Sequence, residues 1–198
     1  LFILCSPHNP VCRVWTEAEL QSIGAICGKH GVKVVSDEIH CDFAFPEYPH
    51  TPFVKACPAM AEQTIVCTAP SKTFNLAGLQ VSNIFIPGRE LRERFQHEMQ
   101  LCSFHEPNLL GAVACTAAYR EGEAWLEACK AYMRENLNFV RSYLAEHIPQ
   151  IKLVEPEGTY FAWLDCSGLG LSKEQLDETI VHKAKLWLDT GAIFGENA

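Results

Sequence analysis

The chain has 198 residues, 48% of them hydrophobic, enough for one domain with a real core or for a domain and part of another. Its 16 basic and 24 acidic residues give a net charge of -8, and the densest basic run is only Arg89, Arg92 and Arg94, which argues against nucleic acid as a partner. No apolar run is long enough to span a bilayer, and the opening LFILC is too short for a signal peptide and lacks its basic flank.

Residues 1–5 read as a buried apolar strand. Thr16 and Glu19 have the spacing of a capping box, Leu20, Ile23 and Cys27 recur at helical spacing, and Gly31 follows as a stop signal. The run VKVVS then gives a second strand. Strand, helix and strand within about 36 residues predict a βαβ unit with parallel strands and a right-handed crossover. A third strand is expected at residues 64–68, and a fourth at 81–86, ending at Pro87-Gly88. Together they predict an α/β sheet, mostly parallel, with mostly buried strands.

Further along, Pro107 opens a helix expected to reach about residue 119, and a longer helix spans 122–147. Trp125, Cys129, Met133, Leu137, Val140 and Leu144 line one face of that second helix. At 1.5 Å per residue it would be about 39 Å long, enough to bridge two domains. Strand-like stretches at 151–154 and 160–164 flank the turn at 156–158. Ser172 and Gln175 form a second capping box, opening a helix that should turn Leu176, Ile180, Ala184 and Leu188 inward. The division expected is therefore 1–121 as part of a large domain, and 122–198 as a linking helix with part of a small α+β domain. The chain opens within one strand-like run and stops after another, AIFGENA, and both ends read as cut.

The ten cysteines, at positions 5, 12, 27, 41, 57, 67, 102, 115, 129 and 166, are scattered through a chain too large to need stapling, and are read as free thiols in a reducing cytoplasm. The CxxH pairs Cys5/His8 and Cys102/His105 lack the rest of a zinc pattern, so no metal site is expected.

In open α/β sheets ligands sit beyond the carboxyl ends of the strands. Three such ends are polar here: Ser6-Pro7-His8-Asn9-Pro10, Asp37-Glu38-Ile39-His40, and Ser71-Lys72-Thr73. Each alone is a weak signal, an ordinary turn, cap or solvated lysine. As an ordered set they supply an amide, a carboxylate with an imidazole three residues on, and a lysine. Those are the groups pyridoxal phosphate (PLP) requires: a lysine to form an imine and move protons, a carboxylate to keep the ring nitrogen protonated, and donors near the ring hydroxyl.

The order and wording resemble the aminotransferase class I/II family of fold-type I PLP enzymes, with its NP-x-G-R, D-E and S-K motifs. SDEIHCDF, PSKTFNLAGLQ and EGTYFAWLD look closest to its cystathionine β-lyase-like branch, the carbon–sulfur lyases of MalY and PatB type. The resemblance implies the C-terminal part of a PLP-dependent transferase-like large domain followed by part of a small domain. It implies that Lys72 is catalytic and holds the cofactor as a Schiff base, and that Asn9 bonds the ring hydroxyl. Asp37 would pair with the pyridine nitrogen, His40 would stand where many relatives have a tyrosine, and Ser71 would help hold the phosphate. A homodimer acting on a small amino acid is implied too, as a β-lyase releasing pyruvate, ammonia and a thiol, or as an aminotransferase. A noncatalytic regulatory binding protein on this fold is the alternative of another class.

Three positions depart from the family pattern. Cys12 stands where NP-x-G-R has glycine, at a cost on the order of 1 kcal/mol if that position needs a positive φ. Ala69 replaces a serine that many relatives aim at the phosphate, and Gln80 an arginine common in transaminating relatives. The family's phosphate-binding helix N-terminus, its ring-stacking aromatic and its substrate-carboxylate arginine have no counterpart in these residues, although FGENA resembles the approach to the last. By themselves these residues are expected to hold PLP weakly and turn over nothing measurable.

Overall fold

The computed structural model describes residues 1–195; the end of the FGENA run, residues 196–198, lies outside them. Two compact units emerge, one formed by Leu1–Val140 with Val154–Trp163, the other by Arg141–Leu153 with the chain from Leu164 onward.

In the first unit, β1 (Phe2–Cys5), α1 (Glu17–Lys29) and β2 (Val34–Asp37) form the expected βαβ unit, with β1 and β2 parallel. The capping box starts α1: the Thr16 hydroxyl accepts from the Glu19 N–H at 3.4 Å, and a Glu19 carboxylate oxygen accepts from the Thr16 N–H at 3.0 Å. Gly31, at φ 63, turns the chain back after the helix, and the Val32 N–H returns to the Cys27 carbonyl at 2.9 Å. The chain then passes the short helix α2 (Phe53–Ala56) and enters β3 (Thr64–Thr68), parallel to β2. A single helical turn, α3 (Pro70–Thr73), follows, and β4 (Asn83–Phe85) closes the sheet antiparallel to β3. The strand order is β1-β2-β3-β4.

One face of this sheet meets α1 and α2. Leu4 and Val34 join Leu20, Cys27, Phe53, Ala56, Cys57 and Met60 in the core, with Trp15, Ile23 and Val32 packed against it. The expectation of buried strands fails at the sheet edges. Ile3 is 66% exposed and Phe85 57%, because an edge strand has a neighbour on one side only and Ile3 faces away from the core cluster. The fourth strand is also shorter than the expected 81–86.

Three more helices belong to the later chain: α4 (Arg89–Leu101), α5 (Leu109–Glu121) and α6 (Glu123–His147). The sequence reading did not single out α4, whose only signal is Leu91, Phe95 and Met99, all half-buried at four-residue spacing within a charged stretch. In α5 the cap is Asn108, not Pro107; its side-chain oxygen accepts from the Gly111 N–H at 2.6 Å. The predicted stripe on α6 is half-buried at Cys129, Met133, Leu137, Val140 and Leu144, but Trp125 is 52% exposed and Leu126 takes its place. No helix among the described residues is long and apolar enough to cross a membrane. All ten cysteines are free.

In the second unit, β5 (Lys152–Leu153) pairs antiparallel with β6 (Leu164–Asp165). The stretch 160–164 is therefore strand only at its end. The Ser172–Gln175 capping box opens α7 (Lys173–Asp177), which widens into a π turn at Glu178–Lys183. Lys185 then takes a left-handed φ of 57 and the helix stops. Leu176 and Ile180 are half-buried as expected, whereas Ala184 and Leu188 are exposed because no helix carries them inward. The strand-like run before FGENA is a 3-10 turn, Gly191–Ile193.

Core packing at α1 is tight. A Cβ on Gly24 would lie 2.5 Å from the Cys57 sulfur. Gly24→Ala should lower stability by about 1–3 kcal/mol in chemical denaturation, and Cys57→Ala in the same background should recover part of that loss.

Candidate active site

The three parallel strands end abreast. Cys5 pairs with Asp37, and Asp37 with Cys67, so these three side chains share one face of the sheet and are half-buried. Leu4, Ser36 and Val66, one residue earlier, share the other face and are buried. Two neighbouring carboxylates are thereby separated. Asp37 opens to the strand ends, where one oxygen accepts from the Ile39 N–H at 3.1 Å. Glu38 turns into the interior, 3% exposed, and accepts from the Ser36 hydroxyl and the Phe53 N–H, each at 2.9 Å, while His50 Nε2 lies 3.0 Å from its other oxygen. Glu38 thus secures the loop to α2, and Asp37 is left at the strand ends.

His40, three residues after Asp37, is buried at 2% exposed. Its ring meets Tyr160 and Phe161 edge-on, with centroids 5.6 and 5.8 Å away. Burial pulls the imidazole below its ordinary value; the Asp37 carboxylate opposes that shift and the Lys72 ammonium reinforces it. His40, Asp37 and Lys72 are therefore electrostatic neighbours. Its Nδ1 is buried and finds no protein hydrogen-bond partner.

Lys72 is exposed on α3, which begins at Pro70 directly after the extended, buried Ala69; Ser71 beside it is half-buried. Asn9 is exposed on the loop after β1, and its backbone N–H is directed to the Cys5 sulfur, next to Asp37 in the sheet. The predicted residues Asn9, Asp37, His40, Ser71 and Lys72 thus all lie at the carboxyl end of the parallel strands.

What the sequence reading missed is the clasp that holds this end together. Cys12 has φ 62, the left-handed conformation its position called for, and is 1% exposed. Its thiol lies 3.4 Å from the Phe161 carbonyl and receives the Thr159 hydroxyl at 3.0 Å. Glu157 joins in, its carboxylate accepting from the Val14 N–H at 2.7 Å and its N–H donating to the Cys12 carbonyl at 2.9 Å. A bridge between Ala44 and Gly158 ties the same segment to the turn after His40. These partners stand more than a hundred positions apart, and only the phrase EGTYFAWLD hinted at them.

The family model Aminotransferase class I and II matches residues 1–197. The chain is 40% identical to cystathionine beta-lyase PatB of Bacillus subtilis, over 98% of this chain and 50% of that protein. Among solved structures it resembles a PLP-bound candidate aminotransferase from Clostridium difficile 630, with a TM-score of 0.95 and 42% identity over 98% of this chain and 50% of the other. Cystalysin from Treponema denticola, which contains PLP, gives a TM-score of 0.94 and 40% identity, again over 98% and 50%. The chain spans about half the length of the curated relatives it matches.

The buried ring of His40 sets a pH dependence. In the unfolded chain the imidazole takes up its proton near its ordinary value of 6.5; in the fold it resists until a lower pH. Its contribution to stability is therefore complete above that value and is lost as pH falls below it toward the folded value. His40→Gln should flatten the decline of the melting midpoint between about pH 7 and about pH 5, with His8, also lowered by burial, keeping a residual slope. Parallel curves for the two proteins would contradict a buried neutral ring.

Proposed function

This chain belongs to the aminotransferase class I and II family, and from that premise we propose that it is part of a PLP-dependent carbon–sulfur β-lyase. The observation that carries the reading is the placement of Asp37, His40 and Lys72 at the carboxyl ends of adjoining parallel strands. The fit to PLP is supported by a half-buried carboxylate able to face a cationic ring nitrogen, and by the buried, unpartnered Nδ1 of His40. The PLP-bound relatives, together with the identity to a cystathionine beta-lyase, support the same assignment.

In this reading Lys72 would hold the cofactor covalently, Asp37 would serve its ring nitrogen, Asn9 and His40 its ring hydroxyl, and Ser71 would help to hold its phosphate. PLP, when bound, supplies an electron sink for the charge left at the substrate α-carbon. Lys72 Nζ, once released from the cofactor, would take the α-proton of cystathionine or a cysteine conjugate; the carbon–sulfur bond at the β-carbon would break, the sulfur would leave as a thiolate and pick up a proton, and water would hydrolyse the released aminoacrylate to pyruvate and ammonia. The clasp through Cys12, Thr159 and Glu157 keeps the Asn9 loop against the strand ends.

Residues 1–121 are assigned to the large, cofactor-binding domain and residues 122–198 to a linking helix and part of the small domain. We further take the protein to work as a homodimer in the cytoplasm, the first from family resemblance and the second from its ten free thiols. The runner-up is an aminotransferase on a similar amino acid, supported by the 27% identity to an aspartate aminotransferase of Pyrococcus horikoshii.

Two measurements test these roles in the full-length protein. Given cystathionine without a keto acid, it should release pyruvate; strict dependence on a keto acid would identify the transaminase instead. Lys72→Ala should lose the borohydride-reducible attachment of PLP and roughly 10²–10⁴-fold in turnover, while Asp37→Asn should retain the attachment and lose about 10²-fold.

A further inference from the structure

One side-chain hydrogen bond joins the two turns that carry His40 and Lys72. The 3-10 turn Cys41–Phe43 follows His40 directly, and α3 ends at Thr73, the residue after Lys72. Thr73 is 0% exposed, and its hydroxyl donates to Asp42 Oδ2 at 2.7 Å. A buried hydroxyl has no water to turn to, and a bond to a carboxylate is stronger than one to a neutral acceptor, so this contact resists opening.

Neighbouring groups close around it. Phe74 packs edge-on to Tyr119 with centroids 5.5 Å apart and lies 6.1 Å from Trp125. Burial first, and then the Asp42 carboxylate, push the Tyr119 phenol up to about 12. Asp42 therefore meets the Lys72 turn through Thr73, and the ring contacts of Phe74 hold the next residue. Lys72 itself is exposed on a flexible four-carbon stem, so its own side chain cannot fix where its ammonium group starts. Its backbone can.

We propose that Asp42 is a positioning residue: through the Thr73 hydroxyl it holds the Lys72 turn against the His40 turn, so that the lysine starts from one fixed place relative to Asp37 and His40. This rests on the reading of Lys72 as the residue that bears the cofactor. A loosened turn leaves substrate binding intact and costs the steps in which Lys72 moves a proton or takes up the cofactor, so the loss belongs in kcat more than in KM.

The test uses the full-length protein. Thr73→Val keeps the side chain's shape and removes its donor, and Thr73→Ser keeps the hydroxyl. Thr73→Val should lower kcat about tenfold or more at nearly constant KM and slow covalent uptake of PLP, scored by borohydride trapping at Lys72. Thr73→Ser should restore both to within about twofold. Wild-type kcat and uptake in Thr73→Val, or equal damage in Thr73→Ser, would overturn the proposal. If Thr73→Val does not fold, Asp42→Asn takes its place: it keeps an acceptor but loses the charge, and must slow uptake, with unchanged uptake counting against the proposal. Lys72→Ala separates the two levels of argument, since continued covalent PLP there would sink the assignment of Lys72 and not the strap alone.

Discussion

The register of the parallel strands is the constraint on which the rest depends. With Cys5, Asp37 and Cys67 abreast, the alternation of a strand sends Leu4, Ser36 and Val66 into the interior and leaves the other three half-buried. A slip of one residue would bury Asp37 and bring Glu38 to the strand ends. The interior would then hold an uncompensated carboxylate, and the hydrogen bonds from Ser36 and Phe53 that now satisfy Glu38 would be lost. The same register brings the loops bearing Asn9, His40 and Lys72 to one end of the sheet.

Around that end, the chain uses buried polar bonds where a larger apolar core would have left the loops free. Glu38 anchors the start of α2, Cys12 and Glu157 clasp the Asn9 loop, and Thr73 meets Asp42. Each joins segments that are distant in sequence or separated by a strand. Such bonds contribute modest net energy but cost a good deal to leave unmade, so they select one arrangement of the loops. Cys12 illustrates the trade: a side chain in a left-handed conformation carries strain that glycine would avoid, and its sulfur meets Phe161 and Thr159 in return.

Membership of the family joins these features to PLP chemistry. Asp37 lies half-buried at the strand ends, while burial draws the His40 imidazole below its ordinary value and so favours its neutral form.

The sequence alone was enough for the βαβ unit, the capping boxes, the long helix and the family. All of these rest on local spacing, on composition or on short motifs that need no partner far away in the chain. It misjudged the edge strands, Trp125 and the end of the helix after Ser172, and passed over α4, because burial there is decided by which element lies opposite and not by the pattern along the strand or helix. The family motif already pointed to Asp37 over Glu38, but only the tertiary structure gives the physical reason, since the two carboxylates are adjacent and differ in the face to which the register turns them. Likewise, the pairing of Cys12 with Thr159 and of Asp42 with Thr73 is a matter of chain return, which leaves no periodic trace in the sequence.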